Sequence, residues 1–349
     1  MKSLKLYGQQ DLRFEEASRP AVENADDVVI KVKAAGLCGS DISRYKKLGP
    51  YVEGMIFGHE FAGEVVETGP GVSGIQQGDR VAGCPTFRCG KCLSCQKGEL
   101  SRCENLTVIG ARHPGSYAEY VKLPAENVLP LPSQVDYDTA ALVEPAAVVA
   151  HGFYRTSIQP GAEVAVMGCG SIGLLAVQWA KIFGAKKVYA IDIDDVKLQT
   201  AREVGADVLI NSGQRPAHEQ VQEHTGGYGV DLAVESAGAP ATSAQVLALP
   251  KKGGEVVFMG IPYADITIER FYFERIVRNE LRILGSWNAI SSPFPGKEWT
   301  SALHYMSTGQ INVKPMISHT PGLSDGPGTF DDLINGKGNY VKVVFHPEK

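Results

Sequence analysis

The segment Gly168-Cys169-Gly170-Ser171-Ile172-Gly173 follows an apolar run at 164–167 and opens a helical run at 174–180 that stops at Gly184. Strand, glycine-rich turn and helix in that order restrict the region to a βαβ unit whose turn approaches a pyrophosphate. Gly168 makes the tight turn, Gly170 admits the ligand to the backbone, and Gly173 permits close helix packing. Ser171 and Ile172 fill the loop between the glycines and count with the cofactor-binding residues, while Cys169 occupies a variable slot. Nineteen residues past Gly173, Asp192 ends the next apolar run. A carboxylate there accepts hydrogen bonds from the ribose hydroxyls of an adenosine and repels a 2′-phosphate. Ile193 and Asp194 follow it rather than an arginine, so the expected cofactor is NAD. Lys197 is either a second ribose contact or an exposed helix lysine. Six short apolar runs, at 163–167, 187–191, 207–210, 231–235, 255–259 and 281–284, alternate with helical stretches. That alternation implies an α/β fold with a doubly wound parallel sheet.

The first third reads differently. Strand-like runs such as 28–32 and 63–67 are separated by turn clusters such as Gly69-Pro70-Gly71, which implies a β-rich domain. A chain of 349 residues exceeds what one hydrophobic core supports, so about two domains are expected. The texture returns to mixed after Gly285, which places the α/β domain as an insertion: 1–146, then 147–284, then 285–349 returning to the first domain. Formal net charge is −5 and no basic run exceeds a dipeptide, which argues against nucleic acid as a partner. The amino terminus carries no apolar run of signal-peptide length and no stretch reaches membrane-span length. The protein is therefore expected in the cytoplasm, acting on a small molecule.

Four cysteines sit within fifteen residues as Cys89-x2-Cys92-x2-Cys95-x7-Cys103, inside a lobe spanning 84–103. The spacing reads as one tetrahedral four-thiolate zinc site, closed to water and substrate and therefore structural. Two disulfides would need an oxidising compartment, and a nucleic-acid-binding ribbon would need a basic surface. Cys84, just before the lobe, reads as a small buried hydrophobe rather than a fifth ligand.

Cys38 in Gly36-Leu37-Cys38-Gly39-Ser40-Asp41 and His59-Glu60 in Gly58-His59-Glu60-Phe61 are weak signals when taken singly. Together with the cysteine lobe, Glu144-Pro145 and the glycine loop, in that order along essentially the whole chain, they resemble the zinc-dependent medium-chain dehydrogenases. The resemblance is to the polyol branch. The stretch Gly285-Ser286-Trp287-Asn288 with Ser291-Ser292-Pro293-Phe294-Pro295-Gly296 is most similar to members acting on galactitol 1-phosphate. It implies a GroES-like catalytic domain carrying both zincs, with a Rossmann domain inserted in it for NAD. It also implies a homodimer or homotetramer, and substrate bound in the cleft between the domains. By position, Cys38, His59 and Glu144 match the ligands of an open, catalytic zinc. Glu60 matches a carboxylate close to the metal that exchanges with a ligand, Ser40 a hydroxyl that relays the substrate proton, and Asp41 an acceptor behind His59. Lys342 matches a basic residue that meets the cofactor pyrophosphate. Arg44, six residues after Cys38, replaces an aromatic pocket residue and suits a phosphate, with Lys46 and Lys47 nearby. Ser286 and Asn288 are further substrate candidates. The implied reaction is oxidation of a secondary hydroxyl of a hexitol phosphate to the ketose, with free polyols and threonine-type substrates as the alternatives. The chain departs from the family at Gly115-Ser116-Tyr117, where Gly-Gly-Phe is commoner, and in the loop 321–328; neither departure is expected to touch the ligands.

Overall fold

The computed structural model describes residues 1–349 and divides into two compact units. The first comprises Met1–Glu144, Ala289–Thr308 and Ile317–Lys349; the second comprises Pro145–Asn288 and Gly309–Met316. The expected boundaries at 146/147 and 284/285 thus lie at 144/145 and 288/289. The segment 309–316, expected in the first unit, belongs to the second. Its buried Ile311, Val313 and Met316 anchor it, and the Asn312 N–H donates to Gln178 Oε1 at 2.6 Å.

In the first unit, strand β1 (Asp27–Gly36) is the hub. It pairs antiparallel with β2 (Glu60–Thr68), with Tyr120–Pro124 and with the carboxy-terminal strand Lys342–Phe345. The run Val28-Val29-Ile30-Lys31-Val32-Lys33 is buried on both faces at Val28, Val29 and Ile30 and alternates from Ile30 onward. Ile30 and Val32 enter the core, whereas Lys31 and Lys33 both reach Glu348, at 2.6 and 2.8 Å. The core is completed by Leu4, Phe57, Phe61, Tyr117, Phe330 and Phe345, so residues from both ends of the chain close one cluster.

The second unit carries six parallel strands: β3 (Glu163–Met167), β4 (Lys187–Asp192), β5 (Val208–Asn211), β6 (Val230–Glu235), β7 (Pro250–Phe258) and β8 (Arg282–Gly285). Their spatial order is β5-β4-β3-β6-β7-β8. Order reverses between β3 and β6, and in such sheets ligands bind beyond the carboxyl ends of the strands at this switch point. The glycine loop leaves β3 there and enters the helix Ser171–Ile182. All six expected runs are strands. The largest difference is β7, which starts at Pro250 because Gly253, at φ +71°, lets the strand bulge rather than end. Both faces of the sheet are covered, which explains the continuous apolar runs: Val164, Ala165, Val166 and Met167 are all buried.

One buried carboxylate ties the entry to β1. Asp27 accepts the backbone N–H groups of Glu23 and Asn24, each at 2.9 Å, and pairs with Lys122 Nζ at 3.1 Å. Burial raises its pKa, but these donors more than reverse that and bring it to about 2. Because the folded value lies below the unfolded 3.8, the stabilisation is present above that value and is lost as pH falls toward 2. At neutral pH it amounts to about 2 kcal/mol. Asp27→Asn should therefore lower the unfolding free energy by about 2 kcal/mol at pH 7, with the gap from wild type narrowing below pH 4. Urea denaturation of both proteins across that range checks this, and a gap independent of pH would contradict it.

Candidate active site

Cys38 is the N-cap of the short helix Gly39–Ser43, and its N–H donates to Asp41 Oδ2 at 3.3 Å. His59 and Glu60 lie where the chain enters β2. The two stretches are antiparallel neighbours, Gly36 opposite Glu60, which brings residues from distant positions in the chain to one point. Ligand atoms of Cys38, His59 and Glu60 lie within 4.8 Å of one another. Glu144, at the start of helix Val143–Tyr154, is outside that mutual group but close enough to act electrostatically on His59, Glu60 and Lys342. Ser40 Oγ is 3.3 Å from Cys38 Sγ.

Asp41 faces His59 Nδ1 across 3.7 Å, in ion-pair range but beyond a hydrogen bond. Burial pulls His59 down, while the Asp41 carboxylate and the Cys38 sulfur more than reverse it and hold the imidazole well above its ordinary value. Burial raises Asp41 and pushes Glu144 up to about 7, and neighbouring Glu60 adds to both. The buried lysine facing these groups is Lys342, 1% exposed, whose ammonium donates to Glu60 Oε2 and, at 2.9 Å, to the Leu37 carbonyl. A thiol, an imidazole and three carboxyl groups around one ammonium make a negative donor set. Protons and a divalent cation compete for such a set, and zinc, which takes thiolate, neutral imidazole and carboxylate together, fits it.

Two findings depart from expectation. Lys342 is directed at Glu60 rather than exposed toward a cofactor phosphate. A Cβ on Gly36 would run into the Glu60 carboxylate, so the glycine is what lets this pair form. The departure at Gly115-Ser116-Tyr117 touches no ligand but does reach the residue behind one, since the Tyr117 hydroxyl donates to Asp41 Oδ2 at 2.6 Å and lies 3.0 Å from the Gly36 carbonyl. Sequence reasoning passed over Tyr117. The signal was the phenol itself, because a buried Tyr in place of Phe must find a partner for its hydroxyl.

The cysteine lobe is the second cluster. Sulfurs of Cys89, Cys92, Cys95 and Cys103 lie within 4.8 Å of one another and none is in a disulfide. Backbone N–H groups point at the sulfurs, Cys92 N to Cys89 Sγ and Cys89 N to Cys103 Sγ, both 3.3 Å. The Lys91 and Cys92 N–H groups bring Cys89 down to about 6 and favour the thiolate a metal needs, whereas burial raises Cys95 to about 12. Cys84 is fully buried, with its thiol pushed up by burial.

In the second unit the three glycines separate by cause. Gly168 has φ +96°, and a Cβ on Gly173 would overlap the Gly168 carbonyl oxygen, so the chain itself requires both. Gly170 has an ordinary φ of −75°, and a Cβ there would meet nothing within 4 Å. Its lack of a side chain leaves an open cradle at a helix N-terminus, as a pyrophosphate needs. Asp192 sits beside it, accepting from the N–H groups of Cys169 at 2.7 Å, Ile193 at 2.8 Å and Asp194 at 3.0 Å. Ser171 and Ile172 are half-buried in the helix's first turn; Lys197 is half-buried on the next helix with no ion pair. Ser286 Oγ and Asn288 Nδ2, just past β8, are buried without a hydrogen-bond partner, the kind of group a polar ligand would satisfy. Arg44 Nη1 donates to the Gly49 carbonyl at 3.0 Å, and the guanidinium stacks on Tyr51.

Residues 24–133 match the alcohol dehydrogenase GroES-like domain, and residues 171–305 match the zinc-binding dehydrogenase domain. The chain belongs to the zinc-dependent medium-chain dehydrogenases. It is 34% identical to the galactitol 1-phosphate 5-dehydrogenase of Escherichia coli K12 over 88% of this chain and 89% of that one. Its identity to the sorbitol dehydrogenase of Bacillus subtilis 168 is 32%, over 100% and 98%. The crystal structure of galactitol-1-phosphate dehydrogenase from Escherichia coli superposes with a TM-score of 0.94 at 32% identity, covering 99% and 100%. The protein is thus a zinc-binding oxidoreductase of the polyol and alcohol dehydrogenase kind. No helix is long and apolar enough to cross a membrane.

Two donor clusters predict two zinc ions per chain. Cys38→Ser should abolish turnover and keep the thermal transition, whereas Cys95→Ser should lower the transition steeply. A structural zinc contributes on the order of 10 kcal/mol of binding free energy to folding. Metal analysis with calorimetric melting checks both, and one zinc per active chain would contradict them.

Proposed function

We propose that the protein oxidises a secondary hydroxyl of a hexitol phosphate such as galactitol 1-phosphate to the ketose, passing hydride to NAD. The observation that carries the substrate choice is Arg44. It lies six residues beyond Cys38, where sorbitol-type members of the family have an aromatic residue, and pairs with no carboxylate. A guanidinium presents planar paired donors that suit a phosphate.

Cys38, His59 and Glu144 hold the catalytic zinc, with Glu60 beside it on Lys342; Cys89, Cys92, Cys95 and Cys103 hold the structural one. Zinc, when bound, supplies Lewis acidity of the kind that brings the pKa of water from about 16 to about 7, roughly 12 kcal/mol. Ser40, against Cys38, takes up the hydroxyl proton and passes it outward. Asp41, fixed by Tyr117, holds the orientation of His59. Ser286 and Asn288 offer their buried polar atoms to substrate or nicotinamide. Gly170 gives the dinucleotide its backbone cradle. The free thiols fit a cytoplasmic setting. The exposed Phe273 and Val277 on the helix Arg270–Arg278 and Ile283 on edge strand β8 fit a homodimer or homotetramer.

NAD is preferred because Asp192 presents a carboxylate already held by three N–H groups, and Ile193, 73% exposed, stands where an arginine would receive a 2′-phosphate. Asp192→Ser with Ile193→Arg should move preference toward NADP. Equal wild-type kcat/KM for the two cofactors would contradict the role given to Asp192.

A free polyol is the second reading, favoured by the contacts Arg44 makes within the chain. Arg44→Ala, assayed on galactitol 1-phosphate and on galactitol, decides between them. Loss of a charge-assisted contact should cost roughly 1.5 to 3 kcal/mol, about tenfold to over a hundredfold in kcat/KM, on the phosphorylated substrate. Equal loss on both, or a wild type preferring the free hexitol, would overturn the phosphate reading.

A further inference from the structure

Arg44 is not the only guanidinium at this place. Tyr51, 53% exposed, carries the Arg44 guanidinium 3.3 Å from its ring centroid and that of Arg112 at 5.8 Å. Both arginines address one ring, so the two guanidinium carbons lie within about 9 Å of each other. Neither is in ion-pair range of any carboxylate, although most arginines on this acidic chain that form ion pairs do so at 3 Å or less. Arg112 is exposed and makes no side-chain hydrogen bond.

Stacking and phosphate binding use different parts of a guanidinium. The cation–π contact occupies the face, while the five N–H donors lie in the plane and point outward. Arg44 gives one of them to the Gly49 carbonyl and keeps the rest. The ring thus orients two forks without consuming them, which lowers the side-chain entropy a ligand would otherwise have to overcome.

Arg44 rides on the segment that carries Cys38, and Arg112 on a turn packed against the residue before His59. Arg44 follows Cys38 on the same short helical stretch, roughly 9 Å along its axis. Arg112 sits in the turn 109–113, which is locked onto the residue before His59: a Cβ on Gly110 would come within 2.7 Å of the Gly58 carbonyl, and Ser116 N donates to that same oxygen at 3.0 Å. The backbones of the pair are therefore tied to the segments that carry Cys38 and His59.

We propose that Arg112 and Arg44, oriented by Tyr51, form a two-arginine clamp for the phosphate ester of the substrate, so that Arg112 sets the preference for a phosphorylated polyol. This rests on the phosphorylated-substrate reading above. The alcohol end is held at the metal ligands and the phosphate end at the clamp.

The test compares wild type, Arg112→Ala, Arg112→Lys and Tyr51→Leu as zinc-loaded enzymes. Galactitol 1-phosphate and galactitol serve as substrates. Inorganic phosphate is titrated separately and followed by its phosphorus NMR linewidth. The clamp predicts that Arg112→Ala raises the ratio of KM for phosphorylated over free substrate tenfold or more. Arg112→Lys should recover part of that, because charge remains while the fork is lost, and Tyr51→Leu should fall between. Phosphate broadening by wild type should drop severalfold in Arg112→Ala. If wild type prefers the phosphorylated substrate and Arg44→Ala abolishes the preference while Arg112→Ala changes neither ratio nor linewidth, the clamp is wrong and the substrate reading stands. A wild type without preference sinks the substrate reading. The clamp is then overturned if the phosphate linewidth does not depend on Arg112, and survives as an anion site if it does.

Discussion

The ion pair between Lys342 and Glu60 is the contact on which the candidate metal centre depends. Both side chains are at most 2% exposed, and the pair joins strand Lys342–Phe345 to β2 across β1. Isolated charges at such burial would be prohibitive, and removing one partner of a buried pair typically costs 3–5 kcal/mol. Gly36 makes the pair possible by contributing no side chain between them. The consequence reaches the metal ligands directly. Glu60 is held in one place, the Leu37 carbonyl is satisfied by the same ammonium, and Cys38 is the next residue along. The last strand of the chain therefore helps set the geometry around Cys38, His59 and Glu60, which come from its first sixty residues.

Around that pair the surroundings of the ligands are arranged in layers. Tyr117 fixes Asp41, Asp41 faces His59 and receives the Cys38 N–H, and Ser40 lies against the Cys38 sulfur. A thiol, an imidazole and three carboxyl groups lie around a single ammonium: burial raises Asp41 and Glu144, with Glu60 adding to both, and Asp41 and Cys38 outweigh burial at His59, a donor set that a divalent cation would suit. The cysteine lobe meets a different demand. Its sulfurs are supplied with backbone N–H donors and leave no room for substrate, which suits a metal that holds a loop.

Much of this was legible in the chain because the controlling interactions are local. The glycine loop, its flanking strand and helix, and the four cysteines each declare themselves within about fifteen residues, and the parallel sheet follows from apolar runs recurring at regular distances. The bulge at Gly253 was not legible, because glycine marks a strand's end and its distortion equally well. The partner of Lys342 was not either: a contact spanning 282 positions leaves no trace in spacing or periodicity. Tyr117 could have been found by asking where a buried phenol sends its hydroxyl. Arg112 could not, since an exposed arginine in a turn carries no signal until the fold brings Tyr51 beneath it.

The central claim is that the chain builds two chemically different zinc sites, one all-sulfur and one mixed. X-ray absorption at the zinc edge of the purified enzyme tests it most directly. The account predicts a sulfur shell at roughly 2.3 Å together with a nitrogen and oxygen shell at about 2.0–2.1 Å, the second lost selectively in His59→Ala. A spectrum containing sulfur alone, or a nitrogen and oxygen shell unchanged by that substitution, would contradict it.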